Sequence, residues 1–241
     1  MKILITGANG NLGSNLINFF SKDQKNLIFG LDIHDSSIIK KNNYHYSACD
    51  ITSSEKVNDF FKSLDSDIDF DSVVNNASFA VFDDFSKRKK SDFMSVLETN
   101  IYGPFNIIQK LVTNSKYNKN FCKIINIGSI YGSISSDPSI YDDLDRKNSE
   151  VYSASKAAVI SLTKYFSVHL ANKNIVVNTV SPGGIFNDHP PIFKSKYSQK
   201  VPLSRMANIE EVVSVIDYLA STKNHYLTGQ NINIDGGMLA W

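Results

Sequence analysis

The chain has 241 residues, 42% of them hydrophobic, and its 25 Lys and Arg nearly balance 24 Asp and Glu, for a net charge of +1. That size suits a single α/β unit with a sizeable core, and the charge balance argues against an electrostatic grip on nucleic acid or a membrane surface. No apolar run approaches the roughly 18 residues of a membrane helix, and the five histidines are scattered without metal-ligand spacing, so no metal site is expected.

In chain order, short β-rich runs alternate with longer helical stretches. "KILIT" leads into a helical segment over about 11–21. "NLIFGLDI" and "YHYSACDI" are the next two strands. A helical stretch near 55–64 precedes the strand "DSVVNNAS", and a long one over about 91–114 precedes "CKIINIGS". Another over about 153–171 precedes "NIVVNTVSP", and one over about 209–220 precedes the closing "NINIDGG". Apolar strands alternating with amphipathic helices predict a three-layer, doubly wound parallel sheet in one domain spanning 1–241. Two stretches read as loops, 133–150 and 183–205. The basic run "KRKK", Lys87 to Lys90, reads as a solvated helix start or loop. Met1 opens directly into a strand, which leaves no room for a signal peptide. Cys49 and Cys122 form no CxxC pair and imply no disulfide framework. A reduced, cytoplasmic protein is expected.

In such a sheet, ligands gather beyond the carboxyl ends of the strands. The residues found there are small or polar: Thr6-Gly7, Asp32, Asp50, Asn75-Asn76-Ala77, Gly128-Ser129 and Ser181-Pro182-Gly183. "TGANGNLG" carries Gly7, Gly10 and Gly13 at the first strand-to-helix turn. Glycines there let the backbone approach a pyrophosphate, with the helix N-terminus supplying N–H donors. Asp32 follows the next strand, where a carboxylate accepts from an adenosine ribose. It repels a 2′-phosphate, and no Arg or Lys stands beside it, which favours NAD over NADP. Farther along, "YSASK" sets Lys156 four residues after Tyr152, on one helix face. With 11 tyrosines and 22 lysines in the chain, chance alone supplies about one such pair, so the pair gains weight only from its surroundings. Those are a strand ending at Ser129, and "ETN", which sets Asn100 inside a helix, where an Asn is unusual without a role.

The GxxGxxG turn, NNAS (Asn75 to Ser78), Ser129, YSASK, SPGG (Ser181 to Gly184) and IDGG (Ile234 to Gly237) together resemble the short-chain dehydrogenase/reductase superfamily, end to end. The resemblance implies a Rossmann fold and oxidoreductase chemistry with a catalytic set of Asn100, Ser129, Tyr152 and Lys156. It implies NAD contacts along Gly7, Asn9, Gly10, Asn11, Leu12 and Gly13, at Asp32 and Ile33, at Asp50 and Ile51, and at Asn76, Ala77 and Ser78. Further contacts would come from Asn100, Tyr152, Lys156, Pro182, Gly183 and Ile185. In this scheme Tyr152 is the general acid/base for a secondary alcohol or ketone, and a fixed Lys156 ammonium favours its phenolate. Ser129 holds the substrate oxygen, and Asn100 orders a water linking Lys156 to solvent. The superfamily also implies a homotetramer or homodimer built on the two longest helical stretches.

Two departures stand out. The glycine spacing is that of the extended branch, whose epimerases and dehydratases carry a C-terminal substrate domain for which this chain has no room. The single-domain branch is therefore expected, with a nucleotide-sugar epimerase or dehydratase and an inactive NAD-binding sensor or scaffold as alternatives. The gap between Ser129 and Tyr152 is also long. Its excess, about 135–150, is expected to wall the substrate pocket, with 184–205 as a lid and Tyr131 and Tyr141 as substrate or lid contacts. "GSIYG", "SPGGIFNDH" and "FKSKY" further resemble a subgroup from bacterial surface-sugar and flagellin-modification clusters, including nonulosonic acid clusters. That points to a sugar derivative, with His189, Lys194 and Lys196 placed to meet an anionic one.

Overall fold

The inner strands of the sheet are built from runs such as Ile3-Leu4-Ile5 that bury side chains on both faces, as a parallel sheet between two helical layers requires, whereas the edge strands Tyr44–Ala48 and Asn231–Ile234 are only partly buried. The structure is a computed structural model and describes residues 1–65, 68–114, 121–141, 147–221, 223 and 225–241. Its strands are β1 (Lys2–Thr6), β2 (Leu27–Asp32), β3 (Tyr44–Ala48), β4 (Ser72–Asn75), β5 (Cys122–Ile127), β6 (Ile175–Pro182) and β7 (Asn231–Ile234). All pair in parallel in the order β3-β2-β1-β4-β5-β6-β7. The helices are α1 (Asn11–Phe20), α2 (Ser54–Ser63), α3 (Lys90–Leu97), α4 (Gly103–Asn114), α5 (Glu150–His169), α6 (Pro191–Gln199) and α7 (Ile209–Ser221).

Alternation along β1 divides the core. Ile3 and Ile5 join Leu16, Ile17 and Phe20 of α1 and Val212, Val213 and Ile216 of α7. Leu4 joins Val57 and Phe60 of α2, Ile107, Ile108 and Leu111 of α4, and Phe166 of α5 on the opposite face. Each such side chain contributes roughly 1.5–3 kcal/mol on burial. The expected doubly wound single domain is therefore present.

A buried polar chain fixes α5 to the sheet. Asn75 Nδ2 donates to Asn126 Oδ1 (2.8 Å), Asn126 Nδ2 to Thr163 Oγ1 (2.8 Å), and Thr179 Oγ1 to Thr163 Oγ1 (2.7 Å). Strands β4, β5 and β6 thus all hold the helix that carries Tyr152. A third apolar cluster of Ile130, Ile140, Tyr141, Phe193, Tyr197, Val201, Met206 and Met238 joins the turns after β5 to the segment around α6.

Two elements differ from expectation. The long helix over about 91–114 is broken into α3 and α4 by a π-helical turn, Glu98–Tyr102. The stretch 183–205, read as a loop, contains α6, which starts at Pro190-Pro191 and buries Phe193 and Tyr197. The stretch 133–150 is mostly irregular, with a short 3₁₀ turn at Pro138–Ile140, and its residues 142–146 lie outside the described residues.

Candidate active site

The chain order reverses between β1 and β4, and their carboxyl ends are stitched together there. Thr6 Oγ1 accepts from the amides of Asn76 (3.1 Å) and Ala77 (3.0 Å), and Asn76 Nδ2 donates to the carbonyls of Thr6 and Gly7 (both 3.0 Å). In the turn after β1, Gly7 has φ +67°, and a Cβ there would meet the Ala77 backbone at 2.8 Å. A Cβ on Gly13 would come within 2.1 Å of the Gly7 carbonyl oxygen. The three glycines therefore let the turn fold flat against the start of α1, whose N-cap, Gly10, offers no capping side chain. The first-turn amides remain available to an anion.

This turn opens onto a cleft of about 460 Å³. Gly7, Asn9, Gly10, Asn11, Leu12, Asp32, Ile33, Asp50, Ile51, Asn76, Ala77 and Ser78 line it, as expected, and Leu31, His34, Cys49, Phe79 and Thr99 join them. Gly13 lies behind the turn and is buried. Asp32 Oδ2 accepts from the Asn9 amide at 2.9 Å, which fixes the carboxylate at the cleft. The nearest cationic candidate is His34, whose Nε2 is 3.8 Å from Asp32 Oδ1. A cradle that side chains would fill, free helix-start amides and a fixed carboxylate suit a dinucleotide.

Ser129, Tyr152, Gly183 and Ile185 line a second cavity of about 560 Å³, adjoining strands β5 and β6. Pro182 ends β6 and is buried. Ser129 hydrogen-bonds to the Tyr152 phenol, which offsets part of the upward push that burial gives its pKa. Lys156 is 3% exposed. Its Nζ donates to the Ile127 carbonyl (2.8 Å) and lies 5.4 Å from the Tyr152 ring centroid. Burial alone lowers its pKa to about 8. The sequence leads one to expect a fixed Lys156 ammonium that favours the phenolate. In the structure it faces the ring, and burial dominates, so the phenol holds its proton.

Asn100 sits in the π-turn, 1% exposed. Its Oδ1 accepts from Phe79 N (2.7 Å) and Ser78 Oγ (3.2 Å), and its Nδ2 donates to Phe79 O (2.9 Å) and Ser155 Oγ (2.9 Å). Four bonds exhaust a carboxamide. The side chain clamps the segment after β4 onto α5, and ordering a water with it would require one of these bonds to open. Neither Asn100 nor Lys156 is in the lining of these two cavities; both side chains are buried behind it.

The stretches expected to form wall and lid do border the second cavity. Tyr141 and Asn148 come from the first, and Gly184, Asp188, His189, Pro190, Phe193 and Tyr197 from the second. Lys194 and Lys196 are not in the lining, which corrects their expected role; Lys194 Nζ lies 4.4 Å over the Phe186 ring instead. Phe82 and Ala80, from the segment after β4, also face the cavity. The sequence carried no pattern for them. Arg88 secures that segment, with Nε donating to Glu150 Oε1 (2.9 Å) at the start of α5 and a second nitrogen to the Asp83 carbonyl (2.8 Å).

Among the described residues no group of His, Cys, Asp and Glu could hold a metal ion, and no helix is long and apolar enough to cross a membrane.

Comparison with known proteins fits this geometry. The family model described as enoyl-(acyl carrier protein) reductase matches residues 33–239. The chain is 31% identical to the 3-oxoacyl-(acyl-carrier-protein) reductase FabG of Rickettsia typhi, covering 98% of this chain and 95% of that one. A short-chain dehydrogenase of Leptospira borgpetersenii, solved with bound NAD+, superposes with a TM-score of 0.91 at 33% identity, covering 98% and 92% of the two chains. ElxO, solved with NADP bound, superposes at 0.86 with 25% identity, covering 100% and 99%. The chain belongs to the short-chain dehydrogenase/reductase superfamily of NAD(P)-dependent oxidoreductases.

Proposed function

We propose that the protein transfers a hydride between NAD and a secondary alcohol or ketone of a small polar molecule, a sugar derivative in our reading, with Tyr152 as general acid/base. The observation that carries this is the convergence of Ser129, Tyr152 and Lys156 where the second cavity meets the strand ends. A bound nicotinamide would accept or deliver the hydride. The chain's own groups do the rest. Tyr152, held protonated by burial, donates its proton to a ketone oxygen during reduction and takes one back during oxidation. Ser129 holds the same oxygen. Lys156 faces the phenol ring, supplies positive charge while protonated, and would hold the cofactor ribose. Asn100 is a positioning residue for α5.

The glycine turn supports dinucleotide binding, and Asp32 supports NAD as the preferred cofactor. Its fixed negative charge would repel a 2′-phosphate, and the Tyr44 and Tyr46 phenols, whose pKa values it helps raise, already feel that field. Solved neighbours carry NAD+ in one case and NADP in another, so the choice rests on this chain's carboxylate. The exposed Tyr102, in the turn between α3 and α4, and Tyr165 and Val168, on α5, support a homodimer or homotetramer. Two buried cysteines that form no disulfide support a reducing, cytoplasmic setting.

The test is Tyr152→Phe. Turnover of keto-sugars with NADH should fall by about 10²–10⁴-fold, while NADH affinity stays within about twofold. Retained turnover removes Tyr152 from the chemistry, and absent turnover in the wild type favours a binding-only sensor.

A further inference from the structure

The second cavity has a polar centre apart from Ser129 and Tyr152. The Tyr131 and Tyr141 hydroxyls lie 3.0 Å apart in its wall. Tyr131 follows Ser129 by two residues, and Tyr141 comes from the long stretch before α5. The pair is firmly held. Lys147 Nζ donates to the Tyr141 carbonyl (2.9 Å), and the Tyr141 ring packs on Phe193 of α6 with centroids 5.5 Å apart. Tyr197 continues the wall and receives the Gly184 amide on its hydroxyl. Burial keeps the Tyr131 and Tyr197 phenols above their ordinary pKa, so both are neutral at pH 7.

The cavity is poor in positive charge. Among its described lining residues, His189 is the one basic side chain and Asp188 the one acid. Of the cations nearby, Lys156 is buried behind Tyr152 and donates to the Ile127 carbonyl, Lys194 lies over the Phe186 ring, Lys200 pairs with Asp137 (2.7 Å), Arg205 forks onto Glu211 (2.7 Å at each nitrogen), and Lys147 is bound as above. A buried anion without a partner is costly, so a carboxylated or phosphorylated substrate finds little compensation from this wall. A phenol has one proton and two lone pairs. The bond to Tyr141 uses one of these on Tyr131 and leaves capacity for a ligand hydroxyl.

We infer that this cavity selects an uncharged substrate bearing a second hydroxyl beyond the reacting carbon, and that Tyr131, oriented by Tyr141, is the residue that recognises it. The inference rests on the proposed function above, whose second cavity it takes as the substrate site, and it narrows the sugar derivative to neutral polyols and hydroxyketones.

Three ring alcohols of similar size provide the probes: cyclohexanol, 1,4-cyclohexanediol and 4-hydroxycyclohexanecarboxylate. Calorimetric titration into the NADH-loaded protein reads binding without turnover. The diol should bind about tenfold tighter than cyclohexanol, the worth of one hydrogen bond, and the carboxylate should bind more weakly than either. In Tyr131→Phe the diol's advantage should shrink to less than about twofold while cyclohexanol binding is unchanged; the phenyl ring keeps the packing. Tightest binding by the carboxylate, an intact diol advantage in Tyr131→Phe, or binding of none of the three overturns the inference. NAD-dependent oxidation of the same compounds is scored separately. Selective diol binding without oxidation would contradict the proposed function and leave this inference standing.

Discussion

Lys156 is a lysine with its ammonium removed from water, and that has a stability consequence separate from chemistry. Its pKa is about 8 in the fold against about 10.4 in an unfolded chain. Between those values the unfolded chain binds more protons, so stability rises with pH across that window. Below pH 8 the whole cost stands, roughly 3 kcal/mol from the shift, less whatever the bond to Ile127 returns. Lys156→Met should therefore stabilise the protein by about 1–2 kcal/mol at pH 7, with the gain vanishing near pH 10, while turnover is lost. Urea unfolding at the two pH values checks this, and a gain independent of pH would mean that the ammonium is not desolvated. At this scale the sequence was most legible. Tyr152, Lys156, Ser129 and Asp32 were readable as candidates because the proposed chemistry calls for such side chains just after particular strands or one helical turn apart. The balance of burial against charge at Tyr152 was not readable, because desolvation depends on neighbours such as Ser129 and Tyr141, brought in from the turns after β5.

The elements show where pattern reading stops. The strands and α1, α5 and α7 announce themselves by apolar periodicity and length. The π-turn does not, because a single wide turn carries no residue signature of its own; within it Asn100 is buried. Helix α6 escaped because only Phe193 and Tyr197 of "PIFKSKYSQ" are buried; Pro190-Pro191 at its start was the available signal. Asn100 is the element-scale test. Replacing it with Ala strands the amide and carbonyl of Phe79 and the hydroxyl of Ser155. That should cost about 2–3 kcal/mol, or roughly 6–10 °C in Tm. Thermal melting reads it, and an unchanged Tm would show that the clamp between the β4 end and α5 carries no stability.

At the scale of the whole molecule, one sheet order places a glycine turn, a carboxylate and a tyrosine–lysine pair along one edge, although they lie far apart in sequence. The fold was legible because the inner strands are apolar on both faces and helical stretches separate most of them. The cavity wall was not, since its aromatic cluster is assembled from turns and α6, where no periodicity exists. Exposed Tyr165 and Val168, 54% and 73% accessible, are apolar area that a second copy would cover. Light scattering should give a mass of two or four 26.9 kDa chains, and Val168→Asp should lower it; a monomer in both forms would remove the assembly. The central claim is that the β1 turn and Asp32 form an NAD site, and fluorescence titration of the protein with NADH and NADPH tests it most directly. The account predicts saturable NADH binding at least about tenfold tighter than NADPH, given the cost of like charges a few ångströms apart. Equal or reversed affinities would contradict it.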